Sequence, residues 1–290
     1  MKYIKYILLA VVCSLVFVEC KKHELDLTDP SIGIEGLTEF QILYEEPVSI
    51  TTANAIDSVF VNGKLYNNLT INRLVVKGII PYPNTFYTAP IGNVNIQFYR
   101  GKDAEGKGVV VYNKDVTLPK GKHQVIVYDM SKDPLILDDE YPYPAHPVAT
   151  PETFDTDSLV SFRFINLLYD KPGKPYEGKL QYQWSNNATN YTNGDWNNLG
   201  EPVAFGEQTT REFCVVHKTV FNSQGYQTLR FRCVDENGKF VEGTEKVSGK
   251  IKNTGDYWTS YIGRANTHIL IHCLNAAPAC QYHQVINNVW

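Results

Sequence analysis

Cysteine and histidine are concentrated in one short segment near the C-terminus, and both can hold a metal ion. The segment HILIHCLNAAPACQYH contains His268, His272, Cys273, Cys280 and His283. Imidazole and thiolate groups are the usual ligands of zinc. On an extended strand, however, His268 and His272 would lie about 13 Å apart, and Cys273 would face the opposite side. We therefore expect no metal site, but a last strand with exposed histidines.

Cysteine could also form disulfides in this chain, at Cys214, Cys233, Cys273 and Cys280. An exported protein can keep such bonds. Four cysteines allow three complete pairings, and the sequence does not choose among them. Cys233 and Cys273 fall on apolar strand faces, so buried free thiols are an equal alternative.

The loop GKDAEGKG (Gly101–Gly108) matches most of a phosphate-binding loop. That motif needs Ser or Thr after its lysine, to hold magnesium, and it joins a strand to a helix. Here Gly108 follows the lysine, and strand-like segments lie on both sides. The loop is therefore predicted to close a β-hairpin.

The residue sets of common hydrolases are not evident in the sequence. It contains no G-x-S-x-G motif, which serine hydrolases of the α/β class use. Acidic pairs such as Asp138 and Asp139 fall in segments of loop composition, whereas a glycosidase places its two acids in a cleft. We expect no catalytic residue and no cofactor, and we interpret the protein as non-enzymatic. An envelope hydrolase is a weaker alternative.

The most suggestive surface is WSNNATNYTNGDWNNLG (Trp184–Gly200), which combines amides with aromatic rings. Rings can stack on sugar faces, and amides can hydrogen-bond sugar hydroxyls. Trp184 ends the alternating segment LQYQW and is predicted to lie in a core. Tyr191 and Trp196 fall in the loop and are the candidate ligand-binding residues. A hairpin tip that folds back on itself is the alternative.

The bulk composition favours strands and argues against nucleic-acid binding. The 290 residues include 27 basic and 31 acidic side chains, for a formal net charge of −4. Nucleic-acid binders usually carry a basic excess. Tyr (19) and Phe (13) are abundant, and aromatic residues are enriched in strands.

The N-terminus has the pattern of an export signal. Lys2 and Lys5 precede the apolar run Tyr6–Val18, which is shorter than the roughly 20 residues of a membrane-spanning helix. Cys20 follows this run, and charged residues follow Cys20. The arrangement resembles the lipobox of bacterial lipoproteins, in which the signal is cleaved before the cysteine and the cysteine is acylated. An ordinary signal peptide with an incidental cysteine is the alternative.

This resemblance implies a lipid anchor at Cys20 and the membrane as a partner. Each buried methylene contributes about 0.8 kcal/mol, so several acyl chains anchor a protein firmly. The start is similar to Bacteroidetes lipoproteins, which place a short polar tether after the cysteine. We therefore expect an outer-membrane lipoprotein of the cell envelope. In those lipoproteins, acidic residues soon after the cysteine favour display on the cell surface. Glu24 and Asp26 fit this resemblance, whereas Lys21 and Lys22 do not.

Alternating apolar and polar residues divide the remaining chain into many short strands. VNIQFYR (Val94–Arg100) and QTLRFRC (Gln227–Cys233) both alternate, as half-buried strands do. Each is followed by a turn-rich loop and two more strands, the last being QVIVYDM in one series and YWTSYIG in the other. Upstream, FQILYEEP and DSVFVNGKLYNN echo FRFINLLYDKP and GKLQYQWSNN. Four matches in the same order indicate a duplicated domain.

The pattern predicts five segments in chain order. They are a signal peptide (1–19), a tether (20–36), a first domain (37–140), a linker (141–157) and a second domain (158–290). The linker is rich in proline and acidic residues, a composition typical of semi-extended chain. No segment shows a long helical period, and many short strands favour a β-sandwich or a barrel.

RFINLL at the start of the second copy and LPKGKHQVIVY near the end of the first carry a further resemblance. Their order resembles the immunoglobulin-like repeat of unknown function that occurs in tandem in Bacteroidetes lipoproteins. The resemblance implies an all-β protein with two tandem immunoglobulin-like β-sandwich domains. That family has no established catalytic residues. We expect a binding or adhesion role, with a glycan or a surface protein as ligand. The alternative is a surface-fibre subunit whose C-terminal QYHQVINNVW completes a neighbour's sheet.

Overall fold

The computed structural model describes residues 34–68, 73–83, 85–138, 157–185, 193–217, 226–244, 258–261 and 264–288. These residues form an all-β structure, with 19 strands, two short 3₁₀ turns and no α-helix. None of their helical segments is long and apolar enough to cross a membrane. By compactness the chain divides into Met1–Leu37 and Thr38–Trp290. Of the first unit, the described part is the 3₁₀ turn Ile34–Gly36 and the residue after it.

The first half of the chain forms two sheets. Its strands are β1 (Leu37–Tyr44), β2 (Ser58–Val61), β3 (Lys64–Asn68), β4 (Gly78–Ile80), β5 (Tyr87–Pro90), β6 (Gly92–Lys102), β7 (Gly108–Leu118), β8 (Lys122–Val127) and β9 (Leu135–Asp138), with the 3₁₀ turn Thr52–Asn54 between β1 and β2. Sheet 1 has the order β3-β2-β6-β7. Sheet 2 has the order β4-β1-β8-β9, and β5 also pairs with β1. Strands β1 and β8 run parallel.

The second half forms two sheets of four strands each. Its strands are β10 (Asp157–Asn166), β11 (Tyr169–Lys171), β12 (Lys174–Pro175), β13 (Leu180–Ser185), β14 (Asn197–Val203), β15 (Glu212–His217), β16 (Tyr226–Asp235), β17 (Trp258–Tyr261), β18 (Arg264–Ile271) and β19 (Gln281–Asn288). Sheet 3 has the order β15-β10-β18-β19, and sheet 4 has the order β14-β13-β16-β17. Strands β11 and β12 form a separate hairpin. Strands β10 and β18 run parallel.

The two halves share one strand order, in which β10 replaces β1 and β16 replaces β6. Their loops after β6 and β16 also match. Asp103 in DAEGK and Asp235 in DENGK each accept two backbone N–H groups through one carboxylate oxygen, at 2.8–3.0 Å. Gly106 and Gly238 have φ of 80° and 75°, a region that favours glycine. The predicted hairpin at Gly101–Gly108 is confirmed.

One expected match between the halves, that of QVIVYDM with YWTSYIG, is wrong. The YWTSYIG strand, β17, pairs with β16 and therefore corresponds to β7. The counterpart of β8 is β18, because each runs parallel to the first strand of its half. Apolar alternation shows that a segment is a strand, but it does not record which neighbour that strand joins.

Each half has one hydrophobic core, which fills the space between its two sheets. The core between sheets 1 and 2 includes Phe40, Ile42, Val59, Ile96 and Phe98. The core between sheets 3 and 4 includes Phe162, Phe164, Tyr182, Trp184 and Phe231. Trp184 is 9% exposed, so its predicted core position is confirmed.

A third apolar cluster joins sheet 2 to sheet 3. Its members are Leu43, Ile126, Ile165, Leu167, Ile269, Ile271 and Val285. Sheets 2 and 3 are consequently covered on both faces, and the layers follow the order 1, 2, 3, 4. Two-sided coverage accounts for the nearly continuous burial along β1 and β8, since strands covered on both faces do not alternate. The predicted linker, 141–157, lies outside the described residues apart from the first residue of β10.

Polar contacts border this third cluster. The Arg163 guanidinium is fully buried and donates to the Asp138 carbonyl oxygen at 2.6 Å. It also donates to Gln124 Oε1 at 2.8 Å and to Thr267 Oγ1 at 3.4 Å. Because Gln124 lies in sheet 2 and Arg163 in sheet 3, these bonds fix how the two sheets meet.

A second set of polar contacts crosses between the same sheets. Glu45, which follows β1, accepts a short hydrogen bond at its Oε1 from Nδ1 of His283 on β19. Lys77 Nζ, next to β4, donates to Gln281 Oε1 on β19 at 3.3 Å. Polar groups buried at such a contact favour one relative placement of the sheets, because any other placement leaves them without partners.

The third cluster yields a stability prediction. Ile269→Ala removes a fully buried side chain and should lower the free energy of unfolding by about 2–5 kcal/mol. Val109→Ala, at a position that is 40% exposed, should change it by less than about 0.5 kcal/mol. Urea titration followed by circular dichroism measures both. Equal stabilities of the two variants would show that the contact between sheets 2 and 3 contributes nothing.

Candidate functional site

The structure places one of the three predicted site residues. Trp196 directly precedes β14, in a segment without regular structure, as the sequence predicts. Cys20 and Tyr191 lie outside the described residues. The candidate site therefore consists of Trp196 and the side chains that surround it on sheet 4.

Trp196 is anchored by a cation. The Arg232 guanidinium carbon lies 4.2 Å from the centroid of the indole ring and 5.9 Å from the Phe240 ring. The indole is half-buried, rather than free in a loop. Its Nε1–H is out of contact with solvent and has no hydrogen-bond partner among the described residues. The cation–π contact between Arg232 and the indole holds the ring against the sheet. A contact of this kind contributes about 0.5–1 kcal/mol at exposed sites.

The residues beside Trp196 come from three neighbouring strands. Gln183 on β13, Asn198 on β14 and Arg232 on β16 each lie next to a core residue of their strand, so their side chains point outward. Gln183 Nε2 donates to Asn198 Oδ1 at 2.8 Å, and Arg232 Nε donates to Gln183 Oε1 at 2.9 Å. We call this group, with Trp196 and Phe240, the Trp196 surface.

The Trp196 surface combines aromatic rings, a guanidinium group and two side-chain amides. Partial burial lowers the pKa of Arg232 below its ordinary value, but the group remains a cation near neutral pH. A planar ring, a fixed cation and two amides can hold a polar ring-shaped molecule. None of the five side chains is a nucleophile or a general base at neutral pH.

Arg232 and Gln183 are functional candidates that sequence reasoning did not select. The alternation in QTLRFRC places Arg232 on an outward face, and that signal was available. Its pairing with Gln183, 49 positions away, depends on the register between β13 and β16. That register is a tertiary property, which a single sequence does not display.

The histidines expected to be exposed are buried. His268 and His272 are 0% and 1% exposed. The His268 ring lies between sheets 3 and 4, against Tyr182 and Phe231 of sheet 4, and His272 follows β18 and lies beside Gln281 of β19. His268 Nδ1 is hydrogen-bonded to the Tyr182 hydroxyl at 2.7 Å. In the part of the chain that the structure describes, no group of three or more His, Cys, Asp or Glu could hold a metal ion.

The cysteines whose side chains are described are free thiols. Cys233, Cys273 and Cys280 are all buried, which corresponds to the free-thiol alternative. Burial raises the pKa of Cys233 to about 12, and a protonated, enclosed thiol is a poor nucleophile. The side chain of Cys214 lies outside the described residues.

Comparison with known proteins adds little. No protein-family model matches the chain, and no curated protein matches it. Among solved structures, the 2.80 Å crystal structure of a leucine-rich repeat protein from Bacteroides thetaiotaomicron VPI-5482 aligns with 78% of this chain, at 11% identity and a TM-score of 0.19. The aligned region spans only 25% of that protein. Similarity at this level defines neither fold nor function.

The buried histidines yield a pH prediction. Burial and the charge of Lys77 lower the pKa of His272 to about 4, and burial lowers the pKa of His268 well below its usual value. In the unfolded chain, both histidines become protonated as the pH falls below about 6.5. In the folded chain, they stay neutral at this pH. Stability is therefore present above pH 6.5 and is lost as the pH falls toward 4, by up to about 3 kcal/mol for His272.

His272→Asn tests this prediction, because asparagine does not titrate and tolerates the positive φ of 71° at this position. The variant should lose less stability than the wild type between pH 6.5 and pH 4, as measured by urea unfolding at a series of pH values. An identical pH dependence in the two proteins would contradict the assignment to His272.

Proposed function

We propose that the protein is a non-enzymatic, lipid-anchored protein of the cell envelope that binds a glycan through the Trp196 surface. The observation that carries the proposal is the indole of Trp196, held 4.2 Å from the Arg232 guanidinium beside a hydrogen-bonded pair of amides. Aromatic rings bind the apolar faces of sugars, and amides and guanidinium groups bond their hydroxyls. A protein ligand that presents similar polar groups is the alternative.

We further propose that the two halves are tandem immunoglobulin-like β-sandwich domains. The shared strand order, the separate cores and the matching Asp-containing hairpins support this interpretation. A sandwich of two antiparallel-rich sheets exposes loops at its ends and polar faces on its sides. Such a scaffold can present a binding surface without any catalytic group.

The anchor is proposed from the sequence alone. The apolar run followed by Cys20 and a polar segment supports an acylated cysteine and a position at the outer membrane. The fibre alternative has less support, because β19 already pairs with β18 of its own chain over eight residues. To be inserted into a neighbour's sheet, β19 would first have to detach from β18.

The Trp196 surface can be tested by substitution. Trp196→Ala should abolish binding on a glycan array and cost about 1–2 kcal/mol of stability, since the ring is half-buried and stacked on a cation. Trp184→Ala should cost about 3–5 kcal/mol, as for other buried aromatic residues. Tyr82→Ala, at an aromatic position that is 62% exposed, is the control and should bind like the wild type.

Two outcomes would contradict the proposed site. One is full glycan binding by Trp196→Ala. The other is a loss of stability in Trp196→Ala as large as that in Trp184→Ala, because the indole would then be a structural residue.

The anchor predicts a labelling result. Cells that express the protein and are fed a labelled fatty acid should incorporate label into the wild type. Cys20→Ala should lose the label and leave the membrane fraction, because the thiol that carries the lipid is gone. Cys233→Ala is a matched control, since its thiol is buried and should not affect labelling. Equal labelling of Cys20→Ala and the wild type would refute the anchor.

A further inference from the structure

A shallow cavity that is open to solvent, with a volume of about 310 Å³, lies in the first half, away from the Trp196 surface. Lys64, Leu65, Tyr66, Phe86, Tyr87 and Thr88 line it. Strand β3 is an edge strand of sheet 1, and β5 belongs to sheet 2, so the cavity opens where the two sheets meet at one side. Its volume is at the lower end of the range for small-molecule sites, which suits one or two sugar rings.

The walls of the cavity are braced from within the protein. The Tyr66 hydroxyl donates to the Thr88 carbonyl oxygen at 3.0 Å, and the Tyr87 hydroxyl donates to the Tyr66 carbonyl oxygen at 3.2 Å. The two rings meet edge to face, with centroids 4.4 Å apart, and both contact the fully buried Phe40. Burial raises the pKa of Tyr87 to about 12, so its hydroxyl keeps its proton. The cavity is therefore preformed.

The chemistry of the cavity combines aromatic surface with positive charge. Lys64 Nζ lies 6.0 Å from the Tyr66 ring centroid. Lys122 Nζ lies 4.7 Å from the Phe86 ring centroid, although Glu39 is also 3.7 Å from this ammonium group and offsets part of its charge. None of the six lining residues is acidic. An occupant that carries an anion next to a compact ring would match this lining.

We propose that this cavity binds a hexuronic acid unit of an acidic glycan. The carboxylate would pair with Lys64 at the rim, and the sugar ring would lie against Tyr66 and Phe86. A neutral sugar would make no ion pair with Lys64, which is exposed. The inference is independent of the Trp196 surface, because no residue is shared between the two sites.

The test uses the whole protein and two matched probes, methyl α-galacturonide and its uncharged methyl ester. Saturation-transfer NMR titration should show that the acid binds about fivefold more tightly than the ester, as expected for an ion pair at an exposed rim. Lys64→Gln should remove that difference, and added salt should reduce it. Phe86→Ala should weaken binding of both probes by about tenfold, because it removes the aromatic wall.

Two controls separate the sites. Lys107→Gln, on the β6–β7 hairpin with a side chain that is 77% exposed, should bind both probes like the wild type. Trp196→Ala should also retain the preference for the acid, so failure of the proposed function would not be mistaken for failure here. Lys64 is exposed, so Lys64→Gln should fold, and it tests the cavity even if Phe86→Ala does not fold.

Four results would overturn the proposal. The first is equal affinity for the acid and the ester. The second is an unchanged preference for the acid in Lys64→Gln. The third is binding of benzoate as tight as that of the galacturonide, which would show that the cavity selects an aromatic carboxylate and not a sugar. Absence of any saturation transfer from either probe at millimolar concentration would equally refute it.

Discussion

The contact between sheets 2 and 3 is the constraint on which the rest of the structure depends. Leu43 and Ile126 on one side, and Ile165 and Ile269 on the other, are fully buried only because the two sheets meet. Separated, each half would expose a contiguous apolar face of a kind that monomeric proteins rarely present to water. The fully buried Arg163 makes the contact specific, because its hydrogen bonds to both sheets are lost if the sheets shift.

This constraint determines where recognition can occur. Since sheets 2 and 3 are covered on both faces, the outward faces available for binding are those of sheets 1 and 4. The Trp196 surface lies on sheet 4, and the aromatic cavity opens at the edge of sheet 1. On sheet 1, Asn95 donates to Asn113 Oδ1 and Asp115 Oδ1 at 2.9 and 2.8 Å, so that face is polar and internally hydrogen-bonded. Both proposed binding sites therefore lie in the outer layers and not at the contact between sheets 2 and 3.

Local features of the fold could be predicted from sequence, whereas the contacts between distant strands could not. Alternation identified β6 and β16 and placed Trp184 in a core, and the strand-like segments on both sides of Gly101–Gly108 identified that loop as a hairpin. The burial of His268 was missed because it depends on sheet 4, whose Tyr182 and Phe231 cover this face of β18. The continuous apolar runs QVIV and HILI did carry a signal of two-sided coverage. The surface that covers their second face is determined by how the two halves pack, and the sequence of either run does not show this.

The corresponding strands of sheets 1 and 4 differ most at their outward positions, where core packing does not restrict the residue type. Phe60 lies opposite Gln97 in sheet 1, as Gln183 lies opposite Arg232 in sheet 4. Both pairs lie at outward positions of the corresponding strands, but one pair is aromatic and amide and the other is amide and cation. Inward positions of the same strands remain apolar in both halves, because cores tolerate only hydrophobic residues of suitable volume. Outward positions have no such restriction, so the chemistry that distinguishes one half from the other is concentrated on these faces.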